Sequence, residues 1–262
     1  PITMFVSFKS FEHGWDPDNI TSPIIAAFGD LFTLPAIIVS ILILNAVNFN
    51  MIFKDAILLI ILIIVAVAFI YCYRLSDETN TILRQSTPVL LLCSLLGGTA
   101  GSILNSSVET LLTNPSLLTL LPLFSGESGS LISILGARLS SGLHSGLVEP
   151  LKRPQGNTLS NFAVCYILAI VVFPLIGILA EGSSMFFKTV GVGFHRIIPI
   201  STLSGLILVS VMIFVVYYVS TMSYNRNLDP DNIVIPISTS ITDSISSLIL
   251  ISVSLFILAV MI

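Results

Sequence analysis

DPDNITSPIIAAFGD, residues 16–30, returns near the other end of the chain as DPDNIVIPISTSITD, residues 229–243. Asp16, Pro17, Asp18, Asn19, Ile20, Pro23, Ile24 and Asp30 recur as Asp229, Pro230, Asp231, Asn232, Ile233, Pro236, Ile237 and Asp243. Each copy is an acidic turn that opens a long apolar segment, and each carries one carboxylate, Asp30 or Asp243, deep inside that segment. Asp caps helix N-termini and Pro suits the first helical turn, so helix starts alone account for Asp16, Asp18, Asp229 and Asp231. They do not account for Asp30 and Asp243, about three turns farther in. A charge at the centre of a bilayer costs at least about 2.5–3.5 kcal/mol on insertion scales, which makes an intramembrane carboxylate a functional candidate.

The bilayer is implied by composition. Of 262 residues, 55% are hydrophobic and only 9% charged, against about 25% charged in soluble domains. The class is therefore an all-α polytopic membrane protein. A net charge of −4 leaves no basic surface for nucleic acid. Cys72, Cys93 and Cys165 are scattered through apolar runs, which argues against a disulfide framework or a thiolate metal site. His13, His144 and His195 share no ligand spacing.

Hydropathy and turn residues divide the chain into seven expected spans. They run over about 19–45, 54–73, 88–112, 117–147, 160–187, 199–223 and 232 to the end. Residues 1–15 are mixed and carry no clear pattern. Residues 74–86, RLSDETNTILRQS, read as a polar loop. Gly97, Gly98, Ala100, Gly101 and Ser102 suit close helix contact in the third span. The fourth is expected to break at the Gly/Ser-rich run 125–130, which holds Glu127. Irregular backbone at membrane depth belongs in a protein interior or against a cavity, so Glu127 is a second candidate ligand; the alternative is a short external loop. Arg138 reads as a packing or counter-charge residue, or as one that snorkels to the interface. Six cationic residues (Lys9, Arg74, Arg84, Lys152, Arg153 and Arg226) fall on the N-terminal side of the membrane and three (Lys54, Lys188 and Arg196) on the other. This split places the N-terminus in the cytoplasm.

Parity then relates the two copies. Six crossings separate their starts, so both acidic turns lie on one side and both helices run the same way, as a repeat about an axis along the membrane normal. Asp30 and Asp243 each lie twelve residues beyond Asp18 and Asp231, or roughly 18 Å into the membrane. Two such carboxylates at one depth form a cation site or share a proton. Oxygen ligands without nearby Cys or His favour a hard ion such as Mg²⁺, which keeps its water and is held with few direct ligands. The outer residues Asp16, Asp18, Asp229 and Asp231 form an acidic pore entrance that concentrates cations.

These residues resemble a known family. The duplicated D-P-D-N…P…D pattern is similar to the last core helix of the MgtE magnesium transporters and of their two-repeat relatives, solute carrier family 41. The run GESGSLISILGARL, residues 126–139, resembles that family's second core helix, and GGTAGSILN, residues 97–105, its first. Glu127, Leu131 and Thr242 stand where the family pattern has Asn, Gln and Gly. The resemblance implies a divalent-cation path between two five-helix halves, with Asp30 and Asp243 at the positions that hold the ion. It implies that residues 1–55 are the last core helix of a first half, 56–86 a connecting transmembrane helix and cytoplasmic loop, and 87–262 a complete five-helix half. Four helices of the first half are then expected in a longer protein or another chain, in keeping with a sequence that opens on Pro1.

The expected function is transport of a divalent cation of the Mg²⁺ type across the plasma membrane, with no enzymatic activity, no resident cofactor, and the ion and the lipid bilayer as partners. The same carboxylates also suit a cation/Na⁺ or cation/H⁺ exchanger. A third reading comes from another class. Phe28-Gly29-Asp30 weakly resembles the Gly-x-Gly-Asp pattern of intramembrane aspartyl proteases, whose paired carboxylates do their chemistry, but no Gly precedes Asp243.

Overall fold

A computed structural model describes residues 2–46, 51–74, 77–106, 111 and 114–260. Among the described residues eight helices follow in order: α1 (Ile2–Glu12), α2 (Pro17–Ala46), α3 (Met51–Tyr73), α4 (Asp77–Ser106), α5 (Pro115–His144), α6 (Asn157–Phe186), α7 (Phe194–Asn225) and α8 (Pro230–Val260). Seven of them, α2 to α8, are long and apolar enough to cross a membrane. Apart from Leu111, which is helical, the other described residues are turns and short connections.

The two acidic turns fold alike. Asp16 and Asp229 stand just before their helices, with Pro17 and Pro230 as the first helical residues. The Asp18 amide donates to Asp16 Oδ1 at 3.1 Å and the Asp231 amide to Asp229 Oδ1 at 3.0 Å. Each outer aspartate thus satisfies one amide that the helix start leaves open.

Helices α5 to α8 form the packed core. In α5 the buried positions Leu117, Leu120, Phe124, Ser128, Leu131, Leu135, Leu139 and Leu143 recur every three or four residues, the stripe of a helix with one face inward. Phe124 meets Phe173 of α6 with ring centroids 5.1 Å apart. Gly205 of α7 lies directly against the Phe173 ring, and Gly177 of α6 against the first turns of α7. The missing side chains let these helices close on one another.

Outside this core the packing is uneven. Among the described residues, α8 packs on α4, α5 and α7, whereas its repeat α2 packs on α1 and α5 alone, and α3 on α4 alone. Most of the apolar surface of α2 and α3 is exposed.

Several expectations are corrected. Residues 1–15 contain a helix, α1, laid against α2. The polar run 74–86 is helical from Asp77 onward, an N-terminal extension of α4; its polar side chains do not prevent the backbone from completing its own bonds. The run 125–130 does not break α5. Gly and Ser cost at most about 1 kcal/mol each in a helix interior, whereas an interrupted backbone in hydrocarbon costs several kcal/mol per open group. Gly97, Gly98 and Gly101 have nothing within 4 Å of where a Cβ would stand. α4 meets α8 through other residues: Cys93 Sγ lies 3.2 Å from the Pro236 carbonyl oxygen, and Ser244 donates to the Leu96 carbonyl at 2.9 Å. The turn marked by Asn48 and Asn50, and the side chains of Asn45, Lys54 and Asp30, lie outside the described residues.

Candidate functional site

Helices α2, α5 and α8, joined by Thr3 and Ser7 of α1, line a cavity of about 650 Å³. α8 lines it with Asp231, Ile235, Thr239 and Asp243, one residue every fourth position. α5 lines it with Ser125, Gly129, Ser133, Ala137 and Ser141, again every fourth position and all small. α2 contributes Asp18, Ser22 and Ala26 at the same spacing, together with Thr21 and Ile25. A spacing of four keeps each series on one helix face. The small α5 stripe keeps that wall back and leaves room between the other two.

Hydrogen bonds give the directions of the helices. Ser141 donates to Asp18 Oδ2, and Ser22 donates to Ser133 Oγ at 2.8 Å, so α2 runs antiparallel to α5. Ser125 donates to Asp243 Oδ1 at 2.9 Å, and His144 Nε2 lies 3.7 Å from Asp229 Oδ1, so α8 is antiparallel to α5 as well. α2 and α8 are therefore parallel, with both acidic turns at one end of the bundle, as parity predicts.

Asp18 and Asp231 stand toward the acidic-turn end of the cavity, and Asp243 lies twelve residues farther in, exposed to it and fixed on one oxygen by Ser125. Ser125 also lies 3.3 Å from Ser246 Oγ, so the hydroxyl that orients the carboxylate is itself held. Glu127 stands apart. It is exposed and does not line the cavity; two residues from Ser125, it points to the opposite face of an unbroken α5.

Arg138 ties the entrance together. Its Nε donates to Asn161 Oδ1 of α6 at 2.9 Å and its Nη1 to Asn19 Oδ1 of α2 at 3.0 Å, with Asp16 Oδ2 3.8 Å from Nη1. The planar guanidinium holds three segments with one fork. At the second turn an amide does this work: Gln85 Oε1 of α4 accepts from Asn232 Nδ2 at 3.1 Å and from the Asp229 amide at 3.3 Å. Arg138→Met leaves two asparagine oxygens without their donor and is expected to cost about 1–3 kcal/mol. Arg138→Lys, which cannot reach both at once, is expected to recover less than half of that in detergent melting curves. Equal stability of all three proteins excludes the tie.

Sequence reading missed the serines and His144. The α5 stripe did carry a signal, five small residues at strict spacings of four, which the search for a helix break obscured. His144 carried none. It meets Asp229 and Asp231, with ligand-type atoms within 4.8 Å of one another, through folding alone; all three are exposed.

The described residues that line the cavity offer carboxylate, hydroxyl and backbone oxygen, with no thiolate or imidazole among them. That donor set suits a hard, hydrated cation.

Comparison with known proteins agrees with this chemistry. The family profile of MgtE, described as a divalent cation transporter, matches residues 121–253. The chain is 23% identical to solute carrier family 41 member 2 of Xenopus laevis over 95% of its length and 46% of that protein. It is 24% identical to solute carrier family 41 member 3 of Rattus norvegicus over 90% of its length and 54% of that protein. The mouse member 3 gives 25% over 90% of this chain and 51% of the relative. The chain thus spans about half the length of the curated relatives it matches. No solved structure matches it.

Proposed function

On the premise that this chain belongs to the MgtE family of divalent cation transporters, we propose that it forms half or more of a pore for a divalent cation of the Mg²⁺ type, with Asp30 and Asp243 facing each other near mid-membrane. One observation carries the reading: Asp243 sits on a cavity stripe whose repeat on α2 leads to residue 30. The series 231, 235, 239, 243 corresponds to 18, 22, 26, 30 in the duplicated segment, and the first three α2 positions line the same cavity. Depth agrees as well. Residue 30 lies eight positions beyond Ser22, which meets Ser133, and eight positions back from Ser133 along antiparallel α5 is Ser125, the partner of Asp243.

Two facing carboxylates repel, and a divalent ion between them removes the repulsion. Mg²⁺ surrenders water reluctantly, so the hydroxyl-lined walls meet its hydration shell while the two carboxylates supply charge. The pore needs a further wall. Among the described residues α2 has no counterparts of the α4 and α7 neighbours that α8 has, and residues 1–55 are read as the end of a first half whose other four helices belong to a longer protein or a second chain. Residues 56–86 connect the halves, and 87–262 form the second. The plasma membrane and a cytoplasmic N-terminus complete the proposal.

Flux in proteoliposomes tests it. Mg²⁺ entry driven by potential alone supports a channel or uniporter, and entry that requires a Na⁺ or proton gradient supports the exchanger. Absence of any divalent flux from the pore-complete protein rejects both. Asp16→Asn with Asp229→Asn keeps both caps, since Asn caps as well as Asp, and removes two entrance charges. Flux is expected to fall several-fold at low salt and to approach the parent near 0.15 M, where screening shortens the reach of a charge to about 8 Å. A salt-independent loss leaves these residues with capping alone.

A further inference from the structure

Away from the α2–α5–α8 cavity, at the acidic-turn end of the bundle, a hollow of about 500 Å³ opens between the loop after α5 and the last turns of α7. Two cations from separate segments line it: Lys152 of the loop and Arg226, the residue that follows α7. Thr221 and Asn225 add neutral polar groups, and among the described residues no carboxylate lines it. Lys152 and Arg226 are in none of the ion pairs found among the described residues. Two positive charges directed to one hollow repel each other, and an anion between them reverses the sign of that interaction. The wall is fixed in advance. Tyr217, fully buried, donates its hydroxyl to the Leu151 carbonyl at 2.8 Å and pins the loop to α7.

The chemistry of the rim says where the anion comes from. Tyr218 and Met222, at the edge of the hollow, end a stripe formed by Leu203, Ile207, Val211, Phe214, Tyr218 and Met222. Each is at least 40% exposed, and the steps of three or four residues keep them on one face. From Leu203 to Met222 the helix rises about 28 Å, close to the thickness of a hydrocarbon core. An apolar track across the membrane thus ends on a basic hollow at the interface, where anionic headgroups lie. A free phosphate uses only the hollow; a phospholipid uses both.

We infer that this hollow binds the phosphate of an anionic phospholipid, held between Lys152 and Arg226, with its acyl chains along the exposed face of α7. Arg226 lies three residues before Asp229, so the bound headgroup anchors the segment that leads into the second acidic turn. This site is independent of the proposed cation path.

The test is a titration of the purified full chain in neutral detergent with dioctanoyl phosphatidylglycerol, read as the midpoint of thermal unfolding. Parallel titrations use dioctanoyl phosphatidylcholine and glycerol 1-phosphate at the same concentrations. The anionic lipid alone is expected to raise the midpoint saturably. Each basic side chain near an anionic surface contributes about fivefold in binding, so Lys152→Gln with Arg226→Gln is expected to require about thirtyfold more lipid. Its midpoint without lipid should equal the parent's, because both side chains are exposed. Arg153→Gln, which removes a neighbouring cation outside the hollow, should titrate like the parent. A loss in Arg153→Gln as large as in the double variant overturns the proposal in favour of diffuse surface charge. A phosphatidylcholine response equal to that of phosphatidylglycerol removes the anion from it, an equal glycerol phosphate response removes the lipid, and parent-like binding by the double variant removes the site.

Discussion

Asp243→Asn and Asp30→Asn are each expected to reduce divalent-cation flux about tenfold or more, and the double variant to be little worse than either. Asn keeps the size and the hydrogen bond of the side chain, so Ser125 retains an acceptor at position 243. What is lost is half the charge of the proposed site, in which both carboxylates act on one ion. A charge-assisted contact is worth about 1.5–3 kcal/mol, which corresponds to about tenfold or more. With one ion joining the two residues, as proposed, removing the second carboxylate has little left to remove, and the effects are expected not to be additive. Folding is expected to survive, since Asn is cheaper than a carboxylate in the membrane. Flux assays should therefore be paired with a measurement of protein inserted in the membrane. Parent-rate Mg²⁺ flux in both single variants rejects the assignment, and Glu127, exposed on the other face of α5, then becomes the carboxylate to test. Additive losses reject the shared ion while leaving each residue on the path.

Gly205→Ala is expected to destabilise the bundle by about 3 kcal/mol, the largest structural effect of a single methyl group in this protein. A Cβ at Gly205 would stand 2.0 Å from Phe173 Cδ2 and 2.2 Å from Cγ, far inside contact distance. The near atoms belong to the ring itself, and Phe173 is fully buried and packed at a tilt against Phe124, so the ring cannot swing aside. Either α6 and α7 separate or the Phe124–Phe173 contact is lost, and overpacking of this kind costs about 1–3 kcal/mol or more. The ordinary helix preference for Ala over Gly, about 1 kcal/mol, is too small to offset it. Phe173→Leu should relieve the clash, so Gly205→Ala with Phe173→Leu is expected to be more stable than Gly205→Ala alone. Gly97→Ala is the control. With open space around that position, it should be neutral or slightly stabilising. Melting temperatures and yield from membranes read all four proteins. A Gly205→Ala protein as stable as the parent places the α6–α7 crossing farther from Phe173 than described.

The parts of this protein that depend on local pattern were legible in the amino-acid chain. Seven spans follow from apolar length, because a bilayer demands about 20 residues per helix wherever that helix packs. The two capped starts follow from D-P-D-N, because an Asx cap is made within four residues. The parallel direction of α2 and α8 follows from counting crossings. The sequence by itself therefore determined the fold class, the duplicated helix and its capped acidic turn. It also brought out the two inner carboxylates, whose pairing stays a proposal.

Tertiary structure decided what lies opposite what. The run Ser125–Ser130 looked like a break because Gly and Ser punctuate soluble chains. In α5 it continues as helix, and its small side chains serve as the set-back wall of a cavity, a role that exists only when α2 and α8 stand across from it. Ser125 could not be matched to Asp243, nor Arg138 to Asn19 and Asn161, since those partners are 118, 119 and 23 residues apart and share no local geometry. The glycines behave likewise. Gly97 and Gly205 are the same residue in the same kind of helix, and only the packing of Phe173 makes one of them irreplaceable. Hydropathy and capping are properties of a segment and its solvent, so a sequence carries them; a cavity is a property of several segments at once, and the fold alone supplies it.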